Sequence, residues 1–194
     1  PNDAYVCSKL GALYVQMGAI DRGIEVLQTG LAAVSIELPV LYELHYHLGI
    51  AYTRAAQIDR AVTHYQSAIA IDILPVLKLG AYNNLGNLLK DLGHFNLALA
   101  AYQTVLKIDP TLAIAHYNIG LTLKSMGQLE QAIEAYQQAI QLNSNYAAAH
   151  QNLGVVLLKI GRVSESLKSF KQAIDLYHLE KSPLAEQLSN GLKD

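Results

Sequence analysis

Asn83-Asn84-Leu85-Gly86-Asn87-Leu88-Leu89-Lys90 is the stretch on which the reading of this chain turns, because its frame returns twice downstream. Gly86, Gly120 and Gly154 are spaced by 34 residues, and Gly93, Gly127 and Gly161 repeat the same step. A period of this size marks stacked helical units, each too small to bury its apolar face alone. With every copy numbered from 1, position 7 is apolar (Leu85, Ile119, Leu153) and position 8 is glycine. Position 20 is small (Ala98, Ala132, Ser166), position 24 is aromatic (Tyr102, Tyr136, Phe170), and position 27 is small or short (Val105, Ala139, Ala173).

Working outward, these three copies cover residues 79–112, 113–146 and 147–180, and two more precede them at 4–37 and 42–75. The steps from Gly11 to Gly49 and from Gly49 to Gly86 are 38 and 37 residues, and both junctions carry Leu-Pro-Val-Leu, at 38–41 and 74–77. Proline suits the first turn of a helix, so the extra residues read as a turn added to the front of two helices. The first copy places Gly23 and Gly30 at positions 20 and 27, and each costs about 1 kcal/mol against alanine inside a helix. This end is expected to be the softer one. After residue 180, Ser182-Pro183 is a helix-start signal, and Leu184, Leu188 and Leu192 form a stripe beside Glu186, Gln187 and Ser189. A capping helix over 182–194 is predicted. No Gly/Ser/Pro-rich linker interrupts residues 1–194, which read as one domain.

These features resemble the tetratricopeptide repeat, a pair of antiparallel helices in which large residues at positions 4 and 24 key into small ones at positions 8, 20 and 27. The resemblance implies an all-α fold: a right-handed α-solenoid, or superhelix, of five hairpins plus the C-terminal capping helix. Copies three to five are similar to the repeats of the superhelical region of O-linked N-acetylglucosamine transferase. Their Gln, Asn and Ala content is also similar to bacterial repeats, cyanobacterial ones among them, and the family includes assembly factors.

Composition narrows the partners. The net charge is -2 and 15% of the 194 residues are charged, too few and too balanced for the clustered basic face of a nucleic-acid binder. Every apolar run is broken well short of the roughly 18 residues that span a membrane, and the first residues carry no basic signal-peptide region. A cytoplasmic protein without membrane insertion is expected. Cys7, the single cysteine, precludes an internal disulfide and stands at position 4, where a buried thiol is expected.

On the first helix of each copy, positions 4, 7, 8 and 11 share the packing face, and positions 2, 5, 6, 9, 12 and 13 point the other way. In the family this chain resembles, that second face lines a concave groove where ligands lie. Position 6 is Lys9, His47, Asn84, Asn118 and Asn152. A carboxamide offers a donor and an acceptor together, which suits the backbone of an extended peptide. Position 5 supplies Tyr46, Asn83, Tyr117 and Gln151, and position 9 supplies Ile50, Asn87, Leu121 and Val155. With Leu158 at position 12, the strip is apolar where a solvated face would be charged, which marks a contact site. The expected partner is a protein or peptide with an apolar or amphipathic segment. A second copy of the chain in the groove, giving a homo-oligomer, is the competing reading. The family's carboxylate clamp is not expected, because Asn83, Ala148 and Asn152 stand where its cations belong.

No nucleophile elbow, phosphate loop or dinucleotide fingerprint is present, so no catalytic residue, cofactor or metal is assigned. His45, His116 and His150 fall one per copy at position 4 and are expected to pack rather than to gather round an ion. The chain reads as a non-catalytic scaffold, or as the substrate-binding arm of a larger enzyme such as a glycosyltransferase.

Overall fold

A computed structural model describes residues 3–179 and 182–191, with Glu186 described in its backbone alone. Among them run eleven α-helices and no strand: α1 Ala4–Gln16, α2 Ile20–Leu31, α3 Leu38–Arg54, α4 Ile58–Ala70, α5 Leu79–Asp91, α6 Phe95–Ile108, α7 Ala113–Ser125, α8 Leu129–Leu142, α9 Ala147–Lys159, α10 Val163–Leu179 and α11 Leu184–Gly191. The predicted hairpins are therefore α1/α2, α3/α4, α5/α6, α7/α8 and α9/α10. The chain forms two compact units that divide inside α6, one ending at Thr104 and the other starting at Val105.

One contact recurs within every hairpin. A Cβ built on the position-8 glycine would stand 2.5 Å from Leu27 at Gly11, 2.5 Å from Tyr65 at Gly49 and 2.6 Å from Tyr102 at Gly86. In the second unit it would stand 2.6 Å from Tyr136 at Gly120 and 3.0 Å from Phe170 at Gly154. Glycine at position 8 and a large ring or leucine at position 24 are thus two halves of one packing decision. Alanine 61, 68, 98, 132, 139 and 173, at positions 20 and 27, are fully buried beside it.

Gly23 and Gly30 are explained by the same closeness. A Cβ on Gly23 would lie 2.6 Å from Val15 Cγ2, and one on Gly30 would lie 2.7 Å from Leu44 Cδ2 and 2.8 Å from Cys7 Cβ. These glycines let α2 press against α1 and α3, which offsets the propensity cost read from the sequence. Cys7 is buried there, as expected.

Each hairpin turns at position 15 through a left-handed residue. Gly18, Gly93, Gly127 and Gly161 have φ of 77° to 85°, whereas hairpin two uses Ala56 at φ 56°. The left-handed region costs an L-residue about 1 to 2 kcal/mol. Ala56→Gly is accordingly expected to raise stability by about 1 kcal/mol, read as a higher denaturant midpoint with an unchanged slope.

The junctions divide the prediction. At the first, α3 begins at Leu38 with Pro39 in its first turn, as read. At the second, Pro75–Lys78 forms a separate 3-10 turn that hands over directly to α5. Its first residues are exposed, so no packing draws them into a longer α-helix.

At the C-terminal end, α11 covers α10 as predicted, but through different side chains. Ala185 is 1% exposed and, with Leu188, packs against Ala147, Ala173 and Tyr177, while Leu184 remains 39% exposed. Only the small alanine fits where the two helices approach. Ser182 caps the helix by accepting from Leu184 N through its Oγ (3.4 Å). Residues 180, 181 and 192–194, Leu192 of the predicted stripe among them, lie outside the described residues.

Candidate functional site

Within the first unit, Tyr46, His47 and Ile50 on α3 and Asn83, Asn84 and Asn87 on α5 were predicted to share a face. Ile50, Asn84 and Asn87 do come together, lining a cleft of about 260 Å³ with Thr53, Arg54, Tyr65, Leu88 and Asp91. Tyr46 stands behind it, stacked on Tyr42 at 5.7 Å between ring centroids, and its Oη accepts a long hydrogen bond from Asn84 Nδ2 (3.4 Å). The ring of His47 lies 5.4 Å from that of Tyr46, with its Nδ1 buried and without a hydrogen-bond partner among the described residues. Burial pushes the His47 imidazole below its ordinary pKa, so it is neutral at pH 7. His47 and Asn83 do not line the cleft.

The cleft has a fixed polarity. Tyr102 Oη donates to Asn87 Oδ1 at 2.7 Å, which turns the amide so that its NH₂ is left to donate. Asn84 spends its NH₂ on Tyr46, which leaves its Oδ1 to accept. A donor and an acceptor therefore stand one turn apart on α5, between the apolar walls Ile50, Tyr65 and Leu88. Arg54 is held at the rim by donating from Nη1 to the carbonyl of Val15 (2.6 Å), where it caps the end of α1.

The second unit repeats the tyrosine–asparagine pairing. Tyr117 and Asn118 stand on α7, Gln151 and Asn152 on α9, and Asn152 Nδ2 donates to Tyr117 Oη (3.1 Å) as Asn84 does to Tyr46. Asn152 is more fully engaged, donating also to the Ala148 carbonyl (3.0 Å) and accepting from Lys124 Nζ (2.6 Å). Gln151 Oε1 accepts from Tyr177 Oη at 2.8 Å. Asn118 is only 5% exposed, Leu121 is half-buried, and Val155 is exposed with Leu158. The asparagine strip that the sequence presents as one uniform row is thus graded. Asn84 and Asn87 border open space, Asn152 is tied down, and Asn118 belongs to the packing.

Rings support the strip from beneath. The ring of Tyr117 lies 5.9 Å from that of Tyr136 and 4.8 Å from that of Tyr146. Burial, and then the neighbouring Tyr117, push the Tyr146 hydroxyl up to about 12. The Tyr117 hydroxyl, likewise held above its ordinary pKa by burial, stays neutral and accepts from Asn152.

Arg54, Asp91 and Thr53 stand on the face marked out from the sequence but were not singled out, because the residues chosen came from positions 5, 6 and 9, with Leu158 alone from position 12. Arg54 and Asp91 both occupy position 13, and Thr53 occupies position 12, one turn further along the same side. The position-4 histidines also depart from expectation. His45, His116 and His150 are half-buried, not core. A polar ring keeps one edge toward a partner: His45 Nδ1 lies 3.0 Å from His64 Nδ1, and His150 Nε2 lies 3.1 Å from the Ser144 carbonyl. Among the described residues no three His, Cys, Asp or Glu side chains gather as a metal site, and no helix is long and apolar enough to cross a membrane.

Comparison with known families identifies the hairpins from residue 86 onward. The family model for the TPR repeat matches residues 86–127 and 122–161, and that for the tetratricopeptide repeat matches residues 147–177. The chain carries tetratricopeptide repeats. A TPR repeat-containing protein of Synechococcus elongatus is 39% identical over 110 residues, 57% of this chain and 27% of the relative. The matched stretch thus spans about a quarter of that relative's length. Among solved structures, a crystal structure of MamA aligns with TM-score 0.72 at 25% identity, covering 88% of this chain and 96% of that one. MamA from Desulfovibrio magneticus, residue 41 to its end, aligns with TM-score 0.75 at 23% identity over 94% and 99% of the two chains. Likeness at this identity speaks for the tetratricopeptide fold.

Proposed function

We propose that this chain is a non-catalytic protein-interaction scaffold whose first unit holds an apolar or amphipathic segment of a partner protein in the Ile50–Leu88 cleft. The observation that carries the reading is the pairing of Asn84 Oδ1 and Asn87 Nδ2 beside apolar walls. An extended peptide offers an N–H and a C=O at such spacing, and its apolar side chain would lie against Ile50, Tyr65 and Leu88. The hydrogen bonds from Tyr102 and to Tyr46 support this role by fixing both amides before a ligand arrives, which lowers the ordering cost of binding. Arg54 and Asp91 at the rim favour a segment with polar residues flanking the apolar one. In the second unit, Tyr117, Leu121 and Val155, with Gln151 and Asn152 already engaged, suit contact through apolar side chains more than through backbone.

Asn87→Asp separates this role from folding. A carboxylate still accepts from Tyr102 Oη but can no longer donate. Peptides selected from a random phage-displayed library on the wild-type chain should carry an apolar residue and bind Asn87→Asp about tenfold more weakly, the loss of one buried hydrogen bond. The thermal midpoint should hold within a few degrees. Selected peptides indifferent to Asn87→Asp and to Ile50→Glu would remove the cleft as the site.

A further inference from the structure

Helices α8, α9 and α10 of the second unit enclose a pocket of about 380 Å³ that shares no residue with the Ile50–Leu88 cleft. Buried Leu153 and Leu157 and half-buried Ile140 form its apolar part, and Gln137, His150, Glu165, Lys168 and Ser169 stand in its walls. Its meaning comes from the first unit, where the same repeat positions are filled. Gln28, His45, Tyr52, Arg60 and His64, at positions 25, 4, 11, 19 and 23, correspond to Gln137, His150, Leu157, Glu165 and Ser169. Tyr52 is 2% exposed and stacks on His64 with 5.3 Å between ring centroids. Its Oη accepts from Gln28 Nε2 at 2.8 Å, and Arg60 stands 5.5 Å over its face. The second unit keeps the glutamine and the histidine but replaces both rings of that stack by smaller side chains. A ring-sized space is left, with partners of the ring still around it.

We infer that this pocket is a docking site for a tyrosine side chain of a partner protein, its ring against Leu153 and Leu157 and its hydroxyl beside the Gln137 carboxamide. Hairpin one repeats the template, with Arg22 4.6 Å over the ring of Tyr14 at the positions of Arg60 and Tyr52. The cation at the pocket is Lys168, and an ammonium favours the face of an aromatic ring over an aliphatic side chain. Glu165 holds the position of Arg60, but its carboxylate is already paired, accepting from Arg162 Nε at 2.6 Å and from Nη2. The His150 ring is fixed by donating from Nε2 to the Ser144 carbonyl (3.1 Å). A tyrosine suits such a place because it joins an apolar body to a polar tip. The rim decides between a free phenol and a tyrosine within a chain. Gln137, Gln141 and Gln172 are exposed carboxamides there, each able to pair with the backbone N–H or C=O on either side of the ring. A free phenol would leave them unused.

Titration of the isotope-labelled chain with N-acetyltyrosine amide, followed through its backbone amide signals, tests this. Shifts should centre on α8, α9 and α10 and saturate with a Kd of about 5 mM, the affinity of a small fragment. N-acetylphenylalanine amide, which lacks the hydroxyl, should bind about threefold more weakly, and so should p-cresol, which lacks the backbone. Leu157→Tyr supplies the ring from within, as Tyr52 does, and should abolish binding without lowering the thermal midpoint. Ser169→His fills the other half of the space and should also abolish binding, which keeps the test decisive if Leu157→Tyr does not fold. The inference is overturned by an absence of shifts in α8 to α10 at about 20 mM of the tyrosine amide, well above the expected Kd. Equal binding of the phenylalanine amide, or binding that persists in a folded filled variant, overturns it as well. If p-cresol binds as tightly as the tyrosine amide, the assignment to a partner protein falls and the site is one for free phenols. Asn87→Asp lies in the other unit and should bind the tyrosine amide as the wild type does, so this test and that of the peptide cleft fail independently.

Discussion

Gly86→Val is expected to lower the stability of the chain by about 3 kcal/mol, the upper part of the range for overpacking a close-packed site. Propensity alone says the opposite, since glycine inside a helix is worse than most residues by up to about 1 kcal/mol. The space decides. A Cβ here would stand 2.6 Å from Tyr102 Cε1 and 2.9 Å from Cζ, and Tyr102 is fully buried and anchored through Oη to Asn87. The ring cannot retreat without breaking that bond, and two further methyl groups need more room than a single Cβ. The loss should appear as a lower urea midpoint with little change in slope. A milder loss is expected for Gly154→Val, because its Cβ would meet Phe170 at 3.0 Å and that ring has no hydrogen bond to break. If Gly86→Val stayed within about 0.5 kcal/mol of the wild type, the ring would be free to move. The orientation of the Asn87 amide, and with it the polarity of the cleft, would then lose its support.

Much of the fold was legible because it is written in pairs at fixed distance. A glycine at position 8 and a ring at position 24 agree in hairpins two to five, and the turn glycine at position 15 agrees in four of five. No single residue among them specifies the fold, but their joint period does. Positions 3 and 10 escaped notice for a physical reason. They face the neighbouring hairpin, as Leu44 faces Gly30, and in hairpins two, three and five half of them are alanines (Ala51, Ala81, Ala149) too small to stand out as core until the helices are stacked. The site was less legible for a related reason. Periodicity places Asn84, Asn118 and Asn152 on equivalent helix faces, and equivalence suggested equal exposure. What distinguishes them is the residue each meets: the Tyr46 hydroxyl for Asn84, and Tyr117, Ala148 and Lys124 for Asn152. Tyr46, Tyr117 and Lys124 lie about one repeat away, and their reach depends on how closely neighbouring hairpins stack. The 3-10 turn before α5 and the use of Ala185 in place of Leu184 are likewise decided by local fit rather than by pattern.

Removing one hydroxyl at position 24 should have opposite effects in two hairpins, and truncating the ring should be severe. Tyr136 is fully buried, with its ring against Gly120 and 5.9 Å from that of Tyr117, so Tyr136→Ala is expected to cost about 3 to 5 kcal/mol. Its Oη has no hydrogen-bond partner among the described residues, and burial pushes its pKa far above the ordinary value. A buried hydroxyl without a partner costs about 1 to 3 kcal/mol, so Tyr136→Phe should stabilise the chain, by about 1 kcal/mol once relaxation is allowed for. Hairpin five already carries this solution as Phe170. Tyr102→Phe makes the same chemical change at the same repeat position, but there the hydroxyl donates to Asn87 Oδ1, and its removal should cost about 1 kcal/mol. Denaturant midpoints of the two phenylalanine variants, measured side by side, carry the test. Shifts of opposite sign would show that position 24 requires a ring and that the hydroxyl matters only where it fixes an amide. Equal shifts would mean that the two hydroxyls sit in equivalent surroundings, and Asn87 would then owe its orientation to something other than Tyr102.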